Sequence, residues 1–277
     1  MDKFTDQQYL VTQQYASDAN LSARIALHER FSTNPQGWYA WYFEQISLPP
    51  AARILEVGCG SGKLWRENLH RLPAAWDITL SDLSLGMLRS AERNLAAAGE
   101  RFTFRVHDVQ LLPYENATFD ALFANHMLYH VPNLERTLLE IQRVLKPGGM
   151  LYAATNGERH MAEMDALGMA FAEHIGFTLE EGFTHRNLRF SLENGARQLQ
   201  PYFSRVERRD YPDSLVVTEA RPLAAYLLST TSAVASLDAA FRKQITRQLE
   251  AFMAQKLQEN HGAIHIHKAT GLFIAQK

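Results

Sequence analysis

From about residue 50 onward, short apolar runs alternate with segments whose apolar residues recur every three or four positions. ARILEVG (52–58) reads as a buried strand ending near Val57. KLWRENLHRL (63–72) follows as a helix with Leu64, Trp65, Leu69 and Leu72 on one face and Pro73 behind it. WDITLSD (76–82) is a second strand; Ser84 then caps a helix carrying Leu85, Leu88, Ala91 and Leu95, stopped at Gly99. RFTFRVHD and TFDALFAN are the third and fourth strands. Asn133 caps a helix with the stripe Leu134, Leu138, Ile141 and Leu145, ended by KPGG (146–149), and MLYAATN (150–156) is the fifth strand. This alternation predicts a parallel sheet with helices on both faces and disfavours an α+β arrangement.

Two regions depart from the alternation. Residues 1–49 read as mainly helical, with the aromatic cluster GWYAWYF (37–43), taken as a core-facing amphipathic helix rather than a substrate cage. Residues 157–200 hold at least one helix, ERHMAEMDALGMAFAEHI. Beyond them FSRVERRDY (203–211) has strand character, PLAAYLLST and AFRKQITRQLEAFMAQKLQ read as helices, and TGLFIAQK is a closing strand. The expected fold is α/β: a doubly wound, mostly parallel seven-stranded sheet, Rossmann-like. A helical N-terminal lid (1–49) precedes a sheet domain (50–277) that carries a helical insertion over about 157–200.

Composition narrows the class. The chain has 277 residues, 46% hydrophobic and 21% charged, with a net charge of −2, so no basic excess points to nucleic acid. MDKFTDQQYL has the pattern of neither a secretory signal nor a transit peptide, and LAAYLLSTTSAVASL (223–237) is too short and too rich in Ser and Thr to span a bilayer. Cys59 is the single cysteine, which excludes a disulfide framework. The expectation is a cytoplasmic protein with no membrane and no nucleic-acid partner; nothing in the sequence sets an oligomeric state.

Gly58, Gly60 and Gly62 form G-x-G-x-G directly after the first strand. Dinucleotide binding calls for G-x-G-x-x-G, and a P-loop needs Ser or Thr after its lysine, whereas Leu64 follows Lys63. Glu56 just before the glycines, Asp82 at the end of the second strand and Asp108 at the end of the third make an acidic rim on the carboxyl edge, where open α/β sheets bind ligands. Such a rim suits a cationic nucleoside better than a pyrophosphate.

These segments resemble the class I S-adenosylmethionine-dependent methyltransferases, in particular their small-molecule branch, which includes quinone C-methyltransferases. ILEVGCGSG is similar to that family's first motif and LSDLSLGML to its second. HDVQLLPYENATFDALFANHMLYHVPN is similar to its adenine-binding and fourth-strand segment, and RVLKPGGML to the turn into strand five. The likeness covers roughly 50–156 and fades on either side. It implies S-adenosylmethionine as cofactor, S-adenosylhomocysteine as product, and roles residue by residue. Gly58 and Gly60 would admit the methionine moiety, with Cys59 a small packing residue between them and Glu56 orienting that end. Asp82 would hold the ribose hydroxyls, with Leu83 and Met87 against the adenine. Asp108 would take the adenine amino group and the Val109 backbone a ring nitrogen. Asn125 and His126 would line the floor near the methyl group.

For the acceptor, NHMLYH offers His126 and His130 as bases, each equally readable as a packing residue. Tyr15, Arg24 and His28 of the lid are further candidates, Arg24 for the methionine carboxylate. HIHK (265–268) puts His265 and His267 on one face of a strand-like stretch, but no third ligand lies nearby, and NHGAIHIHK reads as a loop entering the last strand, with no metal expected. No tetrapeptide of the Asn-Pro-Pro-Tyr type is present to grip a flipped base. The expected activity is methyl transfer to oxygen, nitrogen or activated carbon of a small molecule. A non-catalytic S-adenosylmethionine-binding sensor or scaffold and a nucleotide-dependent oxidoreductase remain the alternatives.

Overall fold

Alternation by two within each strand divides the core into two layers. Leu55 and Val57, Leu122 and Ala124, and Leu151 and Ala153 belong to one apolar cluster. Ile54, Ala121, Phe123, Tyr152 and Ala154 belong to another, so each strand buries both faces. The computed structural model describes residues 19–177, 188–230 and 238–277. Two helices come first, α1 (Ala19–Phe31) and α2 (Trp38–Glu44). Then follow β1 (Arg53–Val57), α3 (Lys63–Glu67), β2 (Asp77–Asp82), α4 (Leu85–Asn94), β3 (Phe102–Val106), β4 (Phe119–Asn125), α5 (Leu134–Val144) and β5 (Leu145–Asn156). The later part holds α6 (Ala162–His174), α7 (Gly195–Leu199), β6 (Arg205–Tyr211), β7 (Ser214–Val217), α8 (Ala220–Thr230), α9 (Ala239–Glu259), β8 (Ile264–His267) and β9 (Thr270–Gln276).

The seven-stranded sheet has the order β3-β2-β1-β4-β5-β9-β6, as the α/β doubly wound expectation requires. The first five strands are parallel, and β9 runs antiparallel between β5 and β6. The chain reverses its direction across the sheet between β1 and β4, and the crevice at such a switch point is where α/β sheets hold ligands. A third apolar cluster lies beside the sheet: Leu27 and Phe31 of α1 pack with residues of α6, α8, α9, β7 and β8. This assembly forms a cap over the crevice. Among the described residues, no helix is long and apolar enough to cross a membrane.

Local chemistry explains where the elements start and stop. Ser84 accepts from the Met87 N–H at 3.3 Å and Asn133 from the Arg136 N–H at 2.9 Å, satisfying the first turns of α4 and α5. The helix expected over 63–72 is broken at Asn68, whose side-chain amide donates to the carbonyls of Leu64 (2.8 Å) and Tyr39 (3.1 Å); Leu69–Arg71 continues only as a 3-10 turn. Leu145, expected on the helical stripe, instead opens β5 opposite Phe119, and Pro147 biases the next residue, Lys146, toward extended geometry. The stretch expected as a loop before the last strand contains β8, which pairs antiparallel with β7 in a separate two-stranded sheet. His265 and His267 do share its exposed face.

Asn133→Ala should cost about 1 kcal/mol of stability in urea unfolding by removing the α5 cap, while Leu134, Leu138 and Ile141 keep their packing.

Candidate functional site

The turn after β1 is left-handed at Gly58 (φ 65°), Gly60 (54°) and Gly62 (69°). A Cβ on Gly58 would lie 2.9 Å from the Met127 Cβ, so both backbone and space demand glycine there. Asp82, the last residue of β2, orders the turn from the neighbouring strand: one oxygen accepts the Gly60 N–H (2.9 Å) and the other the Ser84 N–H (2.8 Å). Burial raises the Asp82 pKa, against the lowering effect of these backbone N–H groups. Leu83, Met87 and Val109 supply apolar wall beside it. Asp108 lies two residues past β3 rather than at its end, and its carboxylate accepts the Gln110 backbone N–H at 2.9 Å.

Glu56 is 2% exposed and braced from two sides. The Trp65 indole donates to one oxygen and the Asn125 amide to the other, the latter at 2.8 Å. Burial pushes its carboxyl up to about 7, against these two hydrogen bonds. Oδ1 of Asn125 is buried, and the buried Tyr42 hydroxyl is the donor that interacts with this side chain. Cys59 is buried inside the turn, its thiol pushed well up by burial, which suits a packing residue and not a nucleophile.

At the end of β4 the chain makes a second left-handed step, at His126 (φ 53°), whose N–H donates to the Ala154 carbonyl at 2.9 Å. The ring lies 5.6 Å from that of Trp38, and burial, with Lys268 and His130 nearby, pushes its pKa down to about 4. His130 sits on the 3-10 turn Leu128–His130, its ring 4.5 Å from Tyr129.

One cavity of about 750 Å³ touches every described residue named from the sequence: Glu56, Gly58, Cys59, Gly60, Asp82, Leu83, Met87, Asp108, Val109, Asn125, His126 and His130, with Arg24 and His28 of α1. Tyr15 lies outside the described residues. The aromatic cluster does two jobs: Tyr42 is buried in the core, and it lines the cavity together with Trp38 and Tyr39. Sequence reasoning missed the far wall, formed by Asn156, His160, Tyr211, Asp213, Tyr226, Lys268 and Thr270. Asn156 alone carried a signal, being a polar residue that ends β5 just as Asn125 ends β4. His267, by contrast, turns away to Glu163, and among the described residues no group of three His, Cys, Asp or Glu side chains could hold a metal.

The segment that carries this switch-point crevice, glycine turn and acidic strand ends is also the one that matches a known family. Residues 55–153 match the family described as "Methyltransferase domain", which bears out the resemblance seen in the sequence. The chain is 36% identical over 138 residues to the ubiquinone biosynthesis O-methyltransferase of Xanthomonas axonopodis pv. citri, covering 50% of this chain and 56% of that one. It is 32% identical over 170 residues to the malonyl-[acyl-carrier protein] O-methyltransferase of Methylococcus capsulatus, covering 61% and 60%. The match thus spans little more than half the length of these curated relatives. In fold, the chain is similar to Haemonchus contortus phosphoethanolamine N-methyltransferase 2, solved with S-adenosyl-L-methionine, at a TM-score of 0.60 and 20% identity, covering 100% of this chain and 60% of that one.

Because the Glu56 pKa is raised, its contribution to stability is fully present below the unfolded value of 4.5 and is lost as pH rises toward about 7. The stability of the wild type relative to Glu56→Gln should therefore decline across that window in urea titrations, and a flat difference would mean that Glu56 ionises as freely in the folded chain as in the unfolded one.

Proposed function

We propose that the protein transfers a methyl group from S-adenosylmethionine to a small-molecule acceptor held between the carboxyl edge of the sheet and the cap. The observation that carries this reading is the continuity of one cavity from the acidic strand ends, past His126, to the far wall under α1. When bound, the cofactor supplies an electrophilic methyl group on a sulfonium sulfur. Asp82, its inner lone pairs held by Gly60 and Ser84, presents its outer ones to the ribose hydroxyls. Leu83, Met87 and Val109 flank the adenine and Asp108 takes its amino group. The turn at Gly58–Gly60, with Asn125 and Glu56 behind it, receives the methionine end.

The chain's part in the chemistry is to position an acceptor in line and to exclude water, and positioning can supply much of the rate. Residues 1–49 act as the lid and 157–200 as part of the cap in this reading, which also carries a cytoplasmic location and no nucleic-acid partner. The net charge of −2 supports the last point. The room that the described residues leave beside the far wall favours turnover over a sensor or scaffold, and the missing third-glycine spacing disfavours a nucleotide-dependent oxidoreductase.

Calorimetric titration with S-adenosylhomocysteine should show saturable binding to the wild type, and no heat at any concentration would sink the reading. Asp82→Asn keeps the side-chain shape but loses charge-assisted hydrogen bonding; it should weaken that binding by roughly 1.5–3 kcal/mol, about 10- to 150-fold. Incubation with a metabolite extract and methyl-labelled cofactor should label a small molecule; cofactor binding without any labelled product would point to the sensor instead.

A further inference from the structure

The two N-terminal helices belong to different bodies. On the cap side, Leu27 and Phe31 of α1 are buried in the third apolar cluster, and Arg30 pairs with Glu219. The chain just after α1 is bonded to β7 and the turn before it. The Thr33 N–H donates to the Ser214 carbonyl at 2.9 Å, and Asp213 accepts the Ser32 hydroxyl at 2.7 Å. The next helix, α2, is held by the sheet body instead. Tyr42 is buried in its core, the Asn68 amide donates to the Tyr39 carbonyl (3.1 Å), and the Ser47 N–H donates to the Tyr152 hydroxyl (3.0 Å). Between the two helices the chain passes through Gly37, which is left-handed (φ 75°) and has nothing within 4 Å of the place a Cβ would take. A joint of that kind has both the backbone freedom and the room to bend.

An ion pair crosses from α1 to the sheet body. Glu29 pairs with Lys63, the first residue of α3, directly after the glycine turn. The Lys63 side chain is 12% exposed and that of Glu29 52%, and the ammonium stands 5.7 Å from the centre of the Tyr39 ring. Glu29, Tyr39 and Lys63 all line the cavity. Burial first, then the charges of Glu29, Glu67 and Glu56, pushes the Tyr39 hydroxyl pKa up, so this ring lies within reach of both the ion pair and the buried Glu56. The pair therefore stands beside the end of the seat that receives the methionine moiety. It is also a fastening that can open, because an ion pair with one partner half in water is worth only a few-fold in an equilibrium.

We propose that the Glu29–Lys63 pair is a latch that holds α1 closed over the donor seat, and that it parts whenever the donor enters or its demethylated product leaves. This inference rests on the methyltransferase reading. With the latch open, α1 and the cap tilt together on the links that join them to the sheet, the stretch ending at Gly37 among them. The latch is closed whether or not the seat is filled, so it hinders both passages alike. Association and release are slowed together, and the equilibrium affinity hardly changes.

The test follows exchange of S-adenosylhomocysteine by stopped-flow tryptophan fluorescence, Trp38 being part of the cavity wall. This product carries one ammonium and one carboxylate and so no net charge, which leaves the protein's own ion pair as the element that salt screens. In the wild type both rate constants should rise about two- to fivefold from low to high salt (about 0.05 to 0.5 M). Glu29→Gln should be faster by a similar factor at low salt, have lost the salt response, and bind with an affinity within about twofold of the wild type. The wild-type salt series stands by itself even if this variant fails to fold. If wild-type exchange ignores salt, or the variant exchanges no faster, the latch falls while the methyltransferase reading survives. If release quickens and association does not, Glu29 is a contact to the ligand and the latch falls too. If the product does not bind at all, the parent reading falls and the inference with it.

Discussion

A carboxyl group almost out of reach of water sits where three elements meet. Glu56 on β1 takes the indole N–H of Trp65, from the helix after the glycine turn, and the amide of Asn125, from the end of β4. An unpartnered polar group at that depth would cost several kcal/mol, so the two donors are what make its burial tolerable. The same two bonds tie the carboxyl ends of the paired strands β1 and β4 to the start of α3. The left-handed path through Gly58, Gly60 and Gly62 is thereby held between two anchored segments, and Asp82 ties its middle to β2. The cavity begins at this junction.

From there the lining changes character along its length. Carboxylates line it at the strand ends, and the buried Lys268–Asp213 ion pair lines it on the far wall. Left-handed geometry at His126 is unusual for a side chain with a Cβ and is held by its N–H bond to Ala154.

The sheet half was legible because its signals are local. Caps at Ser84 and Asn133, glycines at fixed spacing and acids at strand ends all act within a few residues of themselves. Local signals also erred locally: Asn68 broke a helix by bonding backward to Leu64, and Leu145 left its helical stripe to pair with Phe119. The far half left no such trace. Asp213 and Lys268 are 55 positions apart, and nothing periodic relates them. They meet because β7 pairs with β8, and the alternation of IHIH is a strand only in the presence of that partner. His28 and Arg24 were found as isolated lid residues, but what they face was decided by this distant pairing.

The position of β9 has a consequence for the order of assembly. It is the last strand in sequence, yet it lies inside the sheet, hydrogen-bonded to β5 on one side and β6 on the other. While a ribosome is still making the chain, β1 to β5 can collect with one long crossover, from β3 to β4, and the glycine turn forms among them. β6 has no place in the sheet until residues 270–276 zip in, a closure across a long loop and so a slow one. Lys268 stands two residues ahead of that strand and arrives with it. The strand-end half of the cavity can thus form before β9 is made, and the wall that carries Lys268 only together with it.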